Sequence, residues 1–71
     1  MKQKIDFYLR NKIQIHIETA NGRFYNGLIL ECSNNHLILL DKVLGEIFLM
    51  FSEINVLEKN KFTNEKREEN Q

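Results

Sequence analysis

The side chains of this chain that could do chemistry are few and scattered. Asn34, Asn35 and His36 follow one another in a polar stretch between two apolar runs. Amide and imidazole groups can hydrogen-bond the edge of an unstacked nucleobase, and an imidazole can stack on its face. Ser33-Asn34-Asn35 is equally ordinary turn chemistry, since such side chains bond their own backbone. In the first twelve residues Lys2, Lys4, Arg10 and Lys12 stand against Asp6, a net charge of +3. That segment can follow a phosphate backbone or simply solvate one face of a helix. Arg23 and Tyr25 flank the first turn on one side of their strand, where the Tyr25 ring could stack on a ligand or pack across strands.

Catalysis finds little to work with. No Gly-rich phosphate loop, G-x-S-x-G elbow or H-E-x-x-H pattern is present. Cys32 and His36 span a turn with no acid close in sequence to orient the histidine. His16 and His36 lack a recognised metal-ligand spacing, and one cysteine builds neither a disulfide nor a thiolate zinc site. The reading is therefore of a protein that is not an enzyme, with no metal, no cofactor and no small-molecule substrate. Cys32 is most simply a small core residue.

The chain that must position these groups has 71 residues, 42% of them hydrophobic and 28% charged. That composition is ordinary for one small globular domain. Ten basic residues balance ten acidic ones, which excludes a peptide that coats nucleic acid by bulk charge. A core this small is marginal, and self-association is the common remedy once disulfides and zinc are excluded. The longest apolar run, Ile47 to Phe51, is far short of the roughly 20 residues a membrane span needs. The N-terminus has no secretory pattern, so a cytoplasmic setting is expected. Residues 13–57 carry Arg23 and Lys42 against Glu18, Glu31, Asp41, Glu46 and Glu53, a net of −3. Beyond Phe62 no apolar residue remains, so the domain is expected over 2–62 and a disordered charged tail over 63–71.

Ile5, Tyr8 and Leu9 share one face of a helix over residues 3–10. The period then becomes two. Ile13, Ile15 and Ile17 alternate with polar residues in a strand running from Lys12 to Glu18. Asn21-Gly22 predicts a hairpin with positive φ at both residues. A second strand follows over 23–32, with Phe24, Leu28, Leu30 and Cys32 on one face. Gly27 in its middle marks a sharp bend or a close backbone approach. Further strands are expected over His36–Asp41, Glu46–Phe51 and Ile54–Glu58, with a tight break at Ser52-Glu53. The pattern is mainly β: a short N-terminal helix, then a five-stranded, strongly bent antiparallel barrel of the SH3-like or OB-like kind.

Residues Asn21-Gly22-Arg23-Phe24-Tyr25-Asn26-Gly27-Leu28-Ile29-Leu30 resemble the start of the first Sm motif. Leu37-Ile38-Leu39-Leu40-Asp41 is similar to its end. Leu44-Gly45-Glu46-Ile47-Phe48-Leu49 and Ile54-Asn55-Val56-Leu57 resemble the second motif. The resemblance to the Sm-like family covers about residues 3–58. It implies a helix plus a five-stranded bent barrel, which assembles into a homo-oligomeric ring of six or seven when the fourth strand pairs with a neighbour's fifth. It places Ile47, Phe48, Leu49, Met50, Phe51, Ile54 and Val56 at the subunit junction. It also implies contact with single-stranded RNA in RNA metabolism.

Members that bind uridine-rich RNA use a stacking side chain and an Asn at the second turn, and an Arg-Gly pair at the break before the last strand. Here Met50-Phe51 stands at the Arg-Gly place, and Ser33 stands where an acid is usual. Counting forward from Gly27 puts Leu37 at the Asn position; counting back from Asp41 puts His36 there, with Asn34 or Asn35 at the stacking position. The second count keeps His36 out of the strand core. The Tyr-Lys-His-Ala signature of one branch is absent. The expected RNA contacts are accordingly Asn34, Asn35 and His36, with Met50 as a soft apolar wall and Lys2, Lys4 and Arg10 as phosphate partners. A scaffold or protein-interaction module that has lost RNA binding is the alternative.

Overall fold

The structure, a computed structural model, describes residues 1–60; the expected tail over 63–71 lies outside the described residues. It opens with helix α1 (Lys2–Arg10). Ile5 is fully buried, and Tyr8 and Leu9 pack on the same core, which is the face read from their spacing. The helix ends in a Schellman arrangement. Lys12 N–H donates to the Leu9 carbonyl (3.3 Å) and Ile13 N–H to that of Tyr8 (3.1 Å). Lys12 takes the left-handed conformation there, with φ of +53°. This cap uses Lys12 and Ile13, so strand β1 (Ile15–Thr19) begins later than alternation alone implies.

Four more strands follow: β2 (Phe24–Cys32), β3 (His36–Asp41), β4 (Gly45–Met50) and β5 (Ile54–Lys59). All pair antiparallel in one sheet of order β4-β3-β2-β1-β5. Among the described residues, β4 and β5 therefore form the edges of a sheet that does not close. Among the described residues no helix is long and apolar enough to cross a membrane.

The first hairpin differs from the expected two-residue turn. Only Gly22 has positive φ (+87°), and Thr19 N–H donates to the Arg23 carbonyl (2.9 Å). The loop is the longer kind in which one left-handed glycine follows an ordinary turn. Ala20 N–H also donates to the Glu53 carbonyl (2.8 Å), tying this loop to the start of β5.

The face of β2 is the main correction. Tyr25 and Ile29 point into the core, whereas Phe24 is 64% exposed and Leu30 42% exposed. Ile29 lies opposite Leu39 but Glu31 lies opposite Ile38, so the pairing slips at Leu30. This bulge reverses the phase and returns Cys32 to the core side, against Leu37. Burial of Tyr25 also removes it as an outer stacking group. Gly27 is a close approach of backbones: a Cβ there would sit 1.9 Å from the Leu40 carbonyl oxygen. The core itself is built from Ile5, Ile15, Ile17, Tyr25, Ile29, Leu37, Leu39, Leu49, Ile54 and Leu57.

Candidate nucleic-acid interface

Two loops are fastened together at one end of the sheet. Ser33 N–H donates to the His36 carbonyl (2.9 Å), closing the turn between β2 and β3. Phe51 N–H donates to the Asn35 carbonyl (2.9 Å), bonding that turn to the break after β4. The break is a single 3-10 turn over Phe51–Glu53. Met50 lies directly opposite His36 across the β3–β4 ladder. Asn34, Asn35, His36 and Met50 thus share one small region.

The imidazole of His36 is held at one nitrogen and on one ring face. Its Nδ1 lies 2.8 Å from Ser33 Oγ and 3.0 Å from Asn35 Oδ1. Its ring stacks on Phe48, with centroids 4.5 Å apart and planes 24° apart. Phe48 belongs to β4 and is 57% exposed. The two rings are 12 positions apart in the chain, and they meet because Ile38 pairs with Phe48 and so sets both on the same outer face.

The basic residues divide. Lys2 Nζ lies 3.8 Å from Cys32 Sγ, immediately before Ser33, so the start of α1 adjoins the same end of the sheet. Its charge is shared with Asp6, whose Oδ1 is 3.5 Å away. Lys4 is exposed on the first turn of the helix. Arg10 sits at the other end of α1, roughly 12 Å along the axis from Lys2. Its Nε–H donates to the Asp6 carbonyl (3.4 Å). The thiol of Cys32 donates to Asp6 Oδ1 (3.1 Å). This bond, with Lys2, holds the Asp6 carboxyl below its usual range. Burial first, then Asp6, push the Cys32 thiol up, away from thiolate reactivity.

Two other polar clusters shape the sheet away from this end. Asp41, 8% exposed, accepts from Asn26 N–H on Oδ1 and from Val43 and Leu44 N–H on Oδ2, all at 2.9 Å. Burial pushes its carboxyl up, but the Leu44, Asn26 and Val43 donors outweigh that and hold it low. On the outer face of β1, His16 places Nδ1 2.8 Å from Asn26 Oδ1 and Nε2 3.0 Å from Glu18 Oε2. Glu18 is the main reason its imidazole is shifted up, with burial opposing. Phe24 packs beside it, ring centroids 5.8 Å apart.

The residues expected at a subunit junction separate by face. Leu49 and Ile54 are only 3% and 7% exposed and belong to the chain's own core. Their side chains offer little surface to a second copy. Ile47, Phe51 and Val56 are half-buried, and Phe48 stands outside on the edge strand.

No family model matches the chain, and no curated protein does. The fold is nevertheless found among solved structures. A crystal structure of the pleiotropic translational regulator Hfq superposes with a TM-score of 0.73 at 14% identity, over 80% of this chain and 93% of that one. The N-terminal helix and five-stranded sheet match that fold, and the chain carries the Sm-like fold.

Proposed function

We propose that this protein binds single-stranded RNA as a homo-oligomeric ring of six or seven Sm-like subunits, in the cytoplasm and without covalent chemistry. The observation that supports the reading is the joining of the β2–β3 turn to the break after β4, which brings Asn34, Asn35, His36 and Met50 to one end of the sheet. Unstacked bases are recognised by polar edges and ring faces of this kind. The bare edges of β4 and β5 support assembly. Unpaired edge strands invite further pairing, and a ring closes them while repeating the loops about a common centre. Repetition also multiplies Lys2, Lys4 and Arg10 into a basic girdle that a neutral monomer lacks. The likeness to a translational regulator agrees with a role in RNA metabolism or riboregulation.

Native mass spectrometry tests the ring, and fluorescence anisotropy with labelled decaribonucleotides at 50 and 200 mM salt tests the ligand. The reading expects six or seven chains and binding that weakens as salt rises. Loss of affinity in His36→Ala assigns the loop. A ring that binds no oligonucleotide at low salt defeats the RNA reading and favours a protein scaffold. That second reading draws on Met50-Phe51, which put no basic side chain at the break.

A further inference from the structure

We infer that this chain carries a second self-docking surface, in which the exposed face of α1 on one copy lies on the outer face of β2, β3 and β4 on another. Applied to the proposed rings, it stacks them head to tail; the contact itself does not need the ring. Leu37 and Leu39 are fully buried, so strand alternation turns Ile38 and Leu40 outward. Leu28 lies opposite Leu40, and Phe48 opposite Ile38. With the bulged Leu30 these make a contiguous apolar patch, the kind of surface that marks an interaction site. Two exposed carboxylates bracket it. Glu31 lies opposite Ile38 on one side, and Glu46 opposite Leu40 on the other. No ion pair engages either among the described residues. The rest of the outer face is unlike this, since His16, Glu18 and Asn26 bond one another there.

The occupant is argued from charge and spacing. On α1, Phe7 is 50% exposed, midway between exposed Lys4 and Arg10. Those two cations stand about 9 Å apart along the helix axis. Glu31 and Glu46 are two strands and two residues apart, a diagonal of roughly 12 Å that long basic side chains can span. Cation, ring, cation on the helix thus matches carboxylate, apolar patch, carboxylate on the sheet. The first twelve residues carry +3, and residues 13–57 carry −3. One subunit cannot make this contact with itself. Ile5, Tyr8 and Leu9 seat α1 on the core that holds Leu37 and Leu39, the opposite side of β3 from Ile38 and Leu40. Donor and acceptor surfaces differ, so the contact is heterologous and can repeat. A stacked copy has Lys4 and Arg10 covered, so stacking and phosphate contact exclude each other.

Sedimentation velocity of the full chain, without RNA, over a range of protein concentrations at low and high salt tests the contact. The expected result is a series of species growing in steps of one ring, which dissociates as salt rises. Phe7→Ser and Leu40→Gln should each weaken the association about tenfold. Glu31→Lys/Glu46→Lys and Lys4→Glu/Arg10→Glu should each remain single rings, and mixing the two double variants should restore stacking. Restoration also shows that both variants fold. Single rings at every concentration overturn the inference while the ring reading stands. So do larger species that Phe7→Ser and Leu40→Gln leave unchanged, or double variants that stay apart when mixed. Growth in steps of one chain upholds the contact and defeats the ring.

Discussion

Replacing Gly27 by alanine is the sharpest probe of how this sheet is built. The residue pairs with Ile15 of β1 on one side and Asp41 of β3 on the other. An added Cβ would lie 1.9 Å from the Leu40 carbonyl oxygen, where real contacts do not fall below 3.0 Å. The backbones must therefore part by about 1.1 Å, and the obstruction is main chain rather than the end of a flexible side chain. Overpacking of this kind costs about 1–3 kcal/mol, and a backbone obstacle sets the expectation near the upper end, about 3 kcal/mol. In a domain of this size that lowers Tm by roughly 12–24 °C. Urea unfolding followed by circular dichroism, at one fixed protein concentration because assembly adds mass action, measures it. Gly22→Ala is the control. It meets nothing within 4 Å and carries only the penalty of φ at +87°. If Gly27→Ala proves less costly than Gly22→Ala, the close approach of β2 and β3 is wrong.

Three further outcomes follow from the polar clusters and the helix cap. Asp41→Ala orphans three backbone donors and should cost about 2–3 kcal/mol by denaturant titration. The native carboxyl is held low, so its contribution is complete above the unfolded value of about 3.9 and disappears as pH falls through the folded one. His16 is shifted up chiefly by Glu18. Its stabilising effect is complete below an unfolded pKa of about 6.5 and fades as pH rises through the folded value. Glu18→Gln should lower the His16 midpoint in an NMR titration, and an unchanged midpoint refutes the pairing. Lys12→Gly should raise stability by about 0.5 kcal/mol, because relief of a left-handed lysine slightly exceeds the entropy lost with glycine; a lower Tm contradicts the cap.

Much of the architecture could be read from residue order because its determinants are local. Ile5, Tyr8 and Leu9 state the helix, and the alternation of Ile15 and Ile17 states β1. Gly27 marks the close approach of two backbones, and the Leu37-to-Asp41 run marks β3. What escaped reading depends on partners distant in the chain. The bulge at Leu30 exists only against β3, so periodicity put Phe24 and Leu30 on the wrong side and left Tyr25 outside. Lys12 and Ile13 read as strand because the carbonyls they cap belong to the turn before. At the loop end, the Asn34-Asn35-His36 run is visible as polar chemistry, whereas the contact of Phe48 with it is not. Its stacking on His36 needs the β3–β4 register, which no short-range signal encodes.

The carboxylate of Asp41 also makes a kinetic statement. Three amide protons, those of Asn26, Val43 and Leu44, point at one side chain. They lie on β2 and on the loop after β3, yet they cannot be released separately by the event that neutralises their shared acceptor. Deuterium should therefore enter all three sites on a common timescale once acid removes that charge, so that a distant strand and a surface loop report the same local opening.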